Sequence, residues 1–284
     1  MRFLWVNIEE VFREAAARWT LLAYFFLSSI FILIFALAVN LDIVDGALAG
    51  AKLFGKSVDF GGEQVDLDKL VLGFEASFSA FLYLLGVFLA VFATAHLVPR
   101  LQDKGTIDLY LSRPVGRIPL LLSRYVAGLV LAGANVAYLI GAIWLIVIWK
   151  TGIVHPQFLL GGSVIVFVIA AMLAFAFLIG TITSSTAVSI MLSYGLFFIS
   201  AILVAHDKIE AAVSSVWSAR VIHALYVALP KTSDLGKATI ALVSGGQGPR
   251  ELTEALAPAP FISTAIFAIV CLALSSWVFT RKEF

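Results

Sequence analysis

Three sets of residues in this 284-residue chain have the type and spacing to do chemistry. The segment 50–57, GAKLFGKS, fits the pattern G-x-x-x-x-G-K-[ST] letter for letter. In that pattern backbone amides cradle phosphates, the Lys reaches the outer phosphates and the hydroxyl meets Mg2+. The chemistry needs a buried strand entering the loop, a helix leaving it, and a second apolar strand ending in Asp. Here the pattern follows a long apolar run and precedes an acidic stretch, and no soluble apolar run ends in Asp. A Gly-punctuated turn is therefore the expected structure of 50–57. The run VSGGQ at 243–247 has the letters of an ATPase signature loop but lies in similar surroundings, and it takes the same reading.

His206 and Glu210 stand four residues apart, the spacing that places two metal ligands on one helix face. Two ligands do not make a site, so a solvated helix face is expected there. One Cys (Cys271), three Met and four His give no cluster of the soft ligands that a copper or zinc conduit requires. H-E-x-x-H and G-x-S-x-G are both missing, and no apolar run carries the two facing carboxylates of an intramembrane protease. The expectation is a chain with no catalytic, cofactor or metal site. Glu75 is the only carboxylate well inside an apolar run, and it is expected to reach or pair at the outer interface. With Ser77, Ser79 and Asn135 it forms the candidate polar lining of a path through the membrane.

The elements that must position these residues are apolar helices. Hydrophobic residues make up 61% of the chain and charged residues 13%, and several apolar runs exceed the roughly 20 residues that cross a hydrocarbon core. Six spans are read at 19–39, 71–97, 125–149, 158–182, 187–204 and 261–279. In lipid every backbone polar group must be paired internally, so the spans are helices and the expected fold is an all-α integral membrane protein. Six crossings put both termini on one side. Arg2, Arg13, Arg18, Arg100, Lys104, Arg113, Arg117, Arg124, Arg281 and Lys282 flank that side, which the bias of basic residues marks as cytoplasmic. The acid-rich segments 40–70 and 205–260 are expected outside. Residues 1–18 place Leu4, Ile8, Val11, Phe12 and Ala15 on one face against Glu9, Glu10, Arg13 and Glu14, the pattern of a helix lying in the interface. A net charge of +1 is uninformative about partners, and no basic arm or aromatic-and-basic pattern points to nucleic acid.

Between the second and third spans lies 102–124, QDKGTIDLYLSRPVGRIPLLLSR, charged and punctuated by Gly and Pro. Gly105 breaks the preceding helix, Thr106 can cap a short one, and Ile107, Leu109, Tyr110 and Leu111 supply an apolar face before Ser112-Arg113-Pro114 turns the chain. The run Asp103, Gly105-Thr106, Ile107-Asp108-Leu109, Leu111-Ser112-Arg113-Pro114-Val115 and Arg117 resembles the loop of permease subunits of type-2 ABC transporters. The six-span group associated with multi-copper enzyme maturation is the nearest in pattern. The interfacial N-terminal segment, the short 183–186 link, the LPKTSDL at 229–235 and the basic tail RKEF agree with that group.

The resemblance implies a permease of two paired chains in a prokaryotic plasma membrane, with both termini cytoplasmic and a single transmembrane domain over 1–284. It implies export, and ATP and Mg2+ used by a separate ABC ATPase subunit rather than by this chain. In this reading 100–117 is the coupling segment, carried by Asp103, Lys104, Gly105, Thr106, Ile107, Asp108, Leu109, Leu111, Ser112, Arg113, Pro114 and Arg117. The alternative reading of the same loop is a membrane scaffold that recruits soluble partners and moves no substrate.

Overall fold

The computed structural model describes residues 19–44, 47–53, 56–58, 67–103, 105, 107, 116–206, 209–210, 215–245, 254 and 256–282. The expected interfacial helix at 1–18 falls outside them, as do Lys104, Thr106, Asp108, Leu109, Leu111, Ser112, Arg113 and Pro114. The described helices are α1 (Trp19–Ala38), α2 (Leu67–Thr94), the short α3 (Leu97–Leu101), α4 (Arg117–Thr151), α5 (Gln157–Thr183), α6 (Thr186–Leu203), α7 (Val216–Ala228), α8 (Thr232–Val243) and α9 (Pro258–Arg281). Five regions, Val71–Leu101, Arg117–Thr151, Gln157–Thr183, Thr186–Leu203 and Pro258–Arg281, are long and apolar enough to cross a membrane; α1 adds a shorter apolar stretch, Leu22–Leu37. The helical class expected from the sequence holds.

The bundle is organised around α5, which packs against α2, α3, α4, α6, α8 and α9. Its sequence explains that position. Small and apolar residues alternate on every side, and Val168, Ile169, Met172, Leu173, Ala174, Ala176 and Phe177 are all fully buried. A helix apolar all round is one that neighbours cover all round. Gly161 and Gly162 allow the closest approaches. A Cβ at Gly161 would stand 2.8 Å from Val243 of α8, and one at Gly162 would stand 2.8 Å from Ile140 of α4. Small residues that admit neighbouring backbones are the usual means of packing helices in lipid, where burial from water gives no drive.

Two segments differ from the sequence reading. The first is the stretch after α1. It forms an antiparallel sheet, β1 (Val39–Val44), β2 (Ala47–Leu53) and β3 (Lys56–Val58), in the order β1-β2-β3, with Leu53 opposite Lys56. The phosphate-loop letters thus fall across two paired strands, and Lys56 and Ser57 belong to a strand where the nucleotide chemistry needs a helix.

The second is 205–260, which is not a plain loop: it contains α7 and α8, and α8 is inserted into the bundle against α2 and α5. α5 and α9 run parallel, with Phe167 beside Phe261, Phe175 beside Phe267 and Thr181 bonded to Ser275. The backbone N–H of Lys231 donates to Thr264 of α9, which lies between the first two of those pairs and therefore near the middle of α5. At its other end α8 reaches Gly161, one turn from the start of α5. The hairpin thus descends to mid-depth and α8 rises back over about 18 Å, given 1.5 Å per residue.

The third expected span also begins earlier than hydropathy suggested. α4 starts at Arg117, and Arg124, expected in the loop, is a buried residue of that helix.

Candidate functional site

At the end of the bundle carrying 102–117, here the basic end, several helices stop together. α5 ends at Thr183 with Ser184 in the left-handed conformation, and Ser185 then caps α6 by accepting from the N–H of Val188. The last carbonyls of a helix have no partner within it and attract donors and cations. Lys282, just beyond α9, meets this need by donating to the carbonyl of Thr181 at 2.9 Å, the hydroxyl of Ser184 at 2.7 Å and Oε1 of Gln102 at 2.6 Å. Desolvation holds its ammonium below the ordinary lysine pKa. Gln102 donates through Nε2 to the carbonyl of Gly180 at 3.1 Å and accepts from Ser184 at 2.8 Å. Arg117 donates to the carbonyls of Thr280 and Lys282 at 3.1 and 2.8 Å.

The two roots of the 102–117 segment are therefore bound to one place, the end of α9. Gln102 reaches it through the Lys282 side chain and Arg117 through its backbone. Between the roots, Ile107 is 2% exposed and packs in the apolar cluster of Leu97, Leu101, Leu121 and Phe279. Its N–H donates to the carbonyl of Asp103 at 3.2 Å, closing one helical turn, and Gly105 adopts φ +88°, where a side chain would be strained. Asp103 and Gly105 face solvent. Of the residues expected to form the coupling segment, the structure brings Asp103, Ile107 and Arg117 onto one seat. The sequence reading missed what builds that seat: Ser184, Thr181 and Lys282. The short link and the basic tail were visible as separate features, but nothing in their spacing joins them.

The four residues expected to line a path are placed apart. Glu75 is 1% exposed and meets Nδ1 of His155 at 3.0 Å, so it pairs at the far end of the bundle. Asn135 accepts at 2.9 Å from Ser28 of α1, in the wall of a small apolar cavity shared with Tyr24, Leu82 and Ile165. Ser79 is buried, whereas Ser77 is exposed and donates back to the carbonyl of Gly73.

The hairpin is held by hydroxyls. Ser200 of α6 donates to the carbonyl of Pro230 and accepts from the N–H and the hydroxyl of Thr232 at 3.2 and 2.8 Å. Tyr83 of α2 donates to the carbonyl of Thr232. Beyond α6, His206 and Glu210 are half-buried rather than on an open face, and His223 of α7 joins them.

A bundle of apolar helices with a polar, segment-bearing end and no enzymatic constellation among the described residues has the build of a transport permease. The family described as ABC-2 family transporter protein matches residues 8–284, and the chain belongs to that family. It is accordingly a multi-pass membrane protein of the ABC-2 permease type, a transport component that is not itself catalytic. No curated protein gives a significant match.

Proposed function

We propose that the chain is the exporting permease of an ABC transporter in a prokaryotic plasma membrane. Two copies pair, both termini are cytoplasmic, and a separate ATPase using ATP and Mg2+ grips 100–117. The observation that carries this reading is the common anchoring of Gln102 and Arg117 on the end of α9. A partner that displaces the segment pulls on a spanning helix at the same time, which is what converting closure of an ATPase into helix tilt requires. Asp103, Lys104, Gly105, Thr106, Ile107, Asp108, Leu109, Leu111, Ser112, Arg113, Pro114 and Arg117 form the grip. The kinship with the multi-copper maturation group rests on the motif these residues share with it.

Substrate passes between the two chains rather than through one. Glu75, Ser79 and Asn135, buried within the chain, set the helix positions, and Ser77 is the member of that set open to such a path.

The test is Asp108→Lys and Leu109→Asp in the complex with the ATPase. Both variants insert normally, because no span changes, and both lose roughly 1–3 kcal/mol at the contact, about 5- to 150-fold in partner affinity. Normal ATPase capture together with full transport in both variants refutes the assignment.

A further inference from the structure

We infer that His206, Glu210 and His223 form a site for a divalent transition-metal ion of the zinc kind, which pins α7 to the end of α6. The three ligand atoms lie within 4.8 Å of one another. Their arrangement follows from two helical turns facing each other. Past the turn that ends α6, the Ile209 N–H donates to the Ala205 carbonyl at 3.0 Å, a helical spacing that sets His206 and Glu210 on one face at i and i+4. On α7, His223 and Tyr226 share a face at i and i+3. Tyr226 stacks flat on His206, with ring centroids 3.7 Å apart at 13°, and fixes the plane of that imidazole. His223 stands 6.0 Å from His206, ring to ring, tilted by 54°.

The His223–Glu210 distance suits a shared ion better than a simple pair, and the other ligand atoms, within 4.8 Å, must close up by at most about 1.4 Å to share it. Nδ1 of His223 is 3.5 Å from the Glu210 carboxylate, well beyond the roughly 2.7–2.9 Å of a charge-assisted hydrogen bond. It matches the roughly 3.4 Å between two ligands of a tetrahedral ion bound at about 2.0–2.1 Å. The donor set selects the ion. Two imidazoles and one carboxylate suit Zn2+ and its first-row neighbours, whereas Ca2+ and Mg2+ take oxygen ligands and Cu+ prefers sulfur. Three protein ligands leave a fourth position for water. The His223 side chain is 60% exposed, which gives an ion its way in. The ammonium of Lys231 lies over the other partner of this stack, the Tyr226 ring, and the Glu210 charge offsets its repulsion of an incoming cation. Neither helix turn offers three ligands alone, so binding would join α7, the outer arm of the hairpin, to α6.

The experiment uses the full-length chain, free of any affinity tag, in detergent micelles. After metal removal it is titrated with Zn2+ by calorimetry and, separately, with Co2+ under visible absorption. The expected result is one ion per chain, the intense d–d bands of a four- or five-coordinate Co2+ site, and a rise in the thermal midpoint that EDTA reverses. Loss of an outer-shell partner alone usually weakens a metal site 10- to 100-fold, so His223→Asn and Glu210→Gln are expected to weaken binding at least about tenfold. Each variant unfolding in EDTA at the wild-type midpoint establishes that the loss is of ligands and not of fold. The inference is overturned by a wild-type chain that takes up no Zn2+. It is equally overturned by stoichiometric binding that persists at wild-type affinity in both variants, which would place the ion elsewhere in the chain.

Discussion

At the basic end, the 102–117 segment is rooted by one ammonium, one amide and one guanidinium that reach carbonyls and a hydroxyl where helices stop. Toward the opposite end, α8 is held by buried hydroxyls at mid-depth and by the close fit of Val243 against Gly161. The two constructions respond differently to force. Charged donors on flexible stems can exchange one carbonyl for another or for water with little loss, whereas a hydroxyl cluster and a glycine contact tolerate no displacement without leaving polar groups unpaired or atoms overlapping. The basic end is thus the easier of the two to displace, whereas the inserted hairpin keeps its register with α5.

That contrast can be broken most forcefully at Gly161. Gly161→Leu drives a side chain into Val243 and Thr239, and overpacking of this kind costs about 1–3 kcal/mol. The thermal midpoint of the purified chain is expected to fall, with faster amide exchange across α8. Gly141→Leu, where no atom lies within 4 Å of the new Cβ, serves as the control and should change neither. Equal effects at both positions would remove the close fit as the basis of the hairpin's rigidity. Lys282→Met comes next. It deletes three donated bonds at a partly exposed site, for a loss of about 1–2 kcal/mol. Faster exchange is expected at 102–107 and at the α5–α6 link, with α8 unchanged; a spread of the effect to α8 would mean that the two ends are not separately built. The smallest effect is expected for Lys56→Ala. Its position in β3 gives it no part in nucleotide chemistry, so stability should change by less than about 0.5 kcal/mol and ATP-driven transport should be unaltered.

The apolar runs made α2, α4, α5, α6 and α9 legible, because a spanning helix must be apolar over about 20 residues whatever it does. Hydropathy misjudged where helices begin: Arg117 and Arg124 leave the apolar run but stay in α4, since charge ends a favourable lipid environment without breaking a helix. The β-sheet had a readable signal. VNLDIV alternates apolar with polar residues and is followed by Asp45-Gly46, the dipeptide most typical of two-residue hairpin connections. α8 had none of comparable strength. TSDLGKATIALV is short and carries Asp, Lys, Gly and two Thr, and its burial comes from partners more than 30 residues away, such as Ser200, Tyr83 and Gly161. The same holds for His223, whose 17-residue separation from His206 corresponds to no local period. At the basic end the segment was legible from its punctuation, while its seat on Lys282 depends on three chain ends meeting, which no local pattern encodes.

α9 touches both of these constructions. Its end accepts from Arg117 and supplies the Lys282 contact to Gln102, and 18 residues earlier its Thr264 receives the N–H of Lys231 at the foot of the hairpin. Between the two points it contains no Gly and no Pro, and it is about 27 Å of unbroken helix at 1.5 Å per residue. While those bonds persist, the rigid hairpin fixes one point of α9 at mid-depth, so the helix acts as a lever on that pivot, and its basic end can swing without displacing α8.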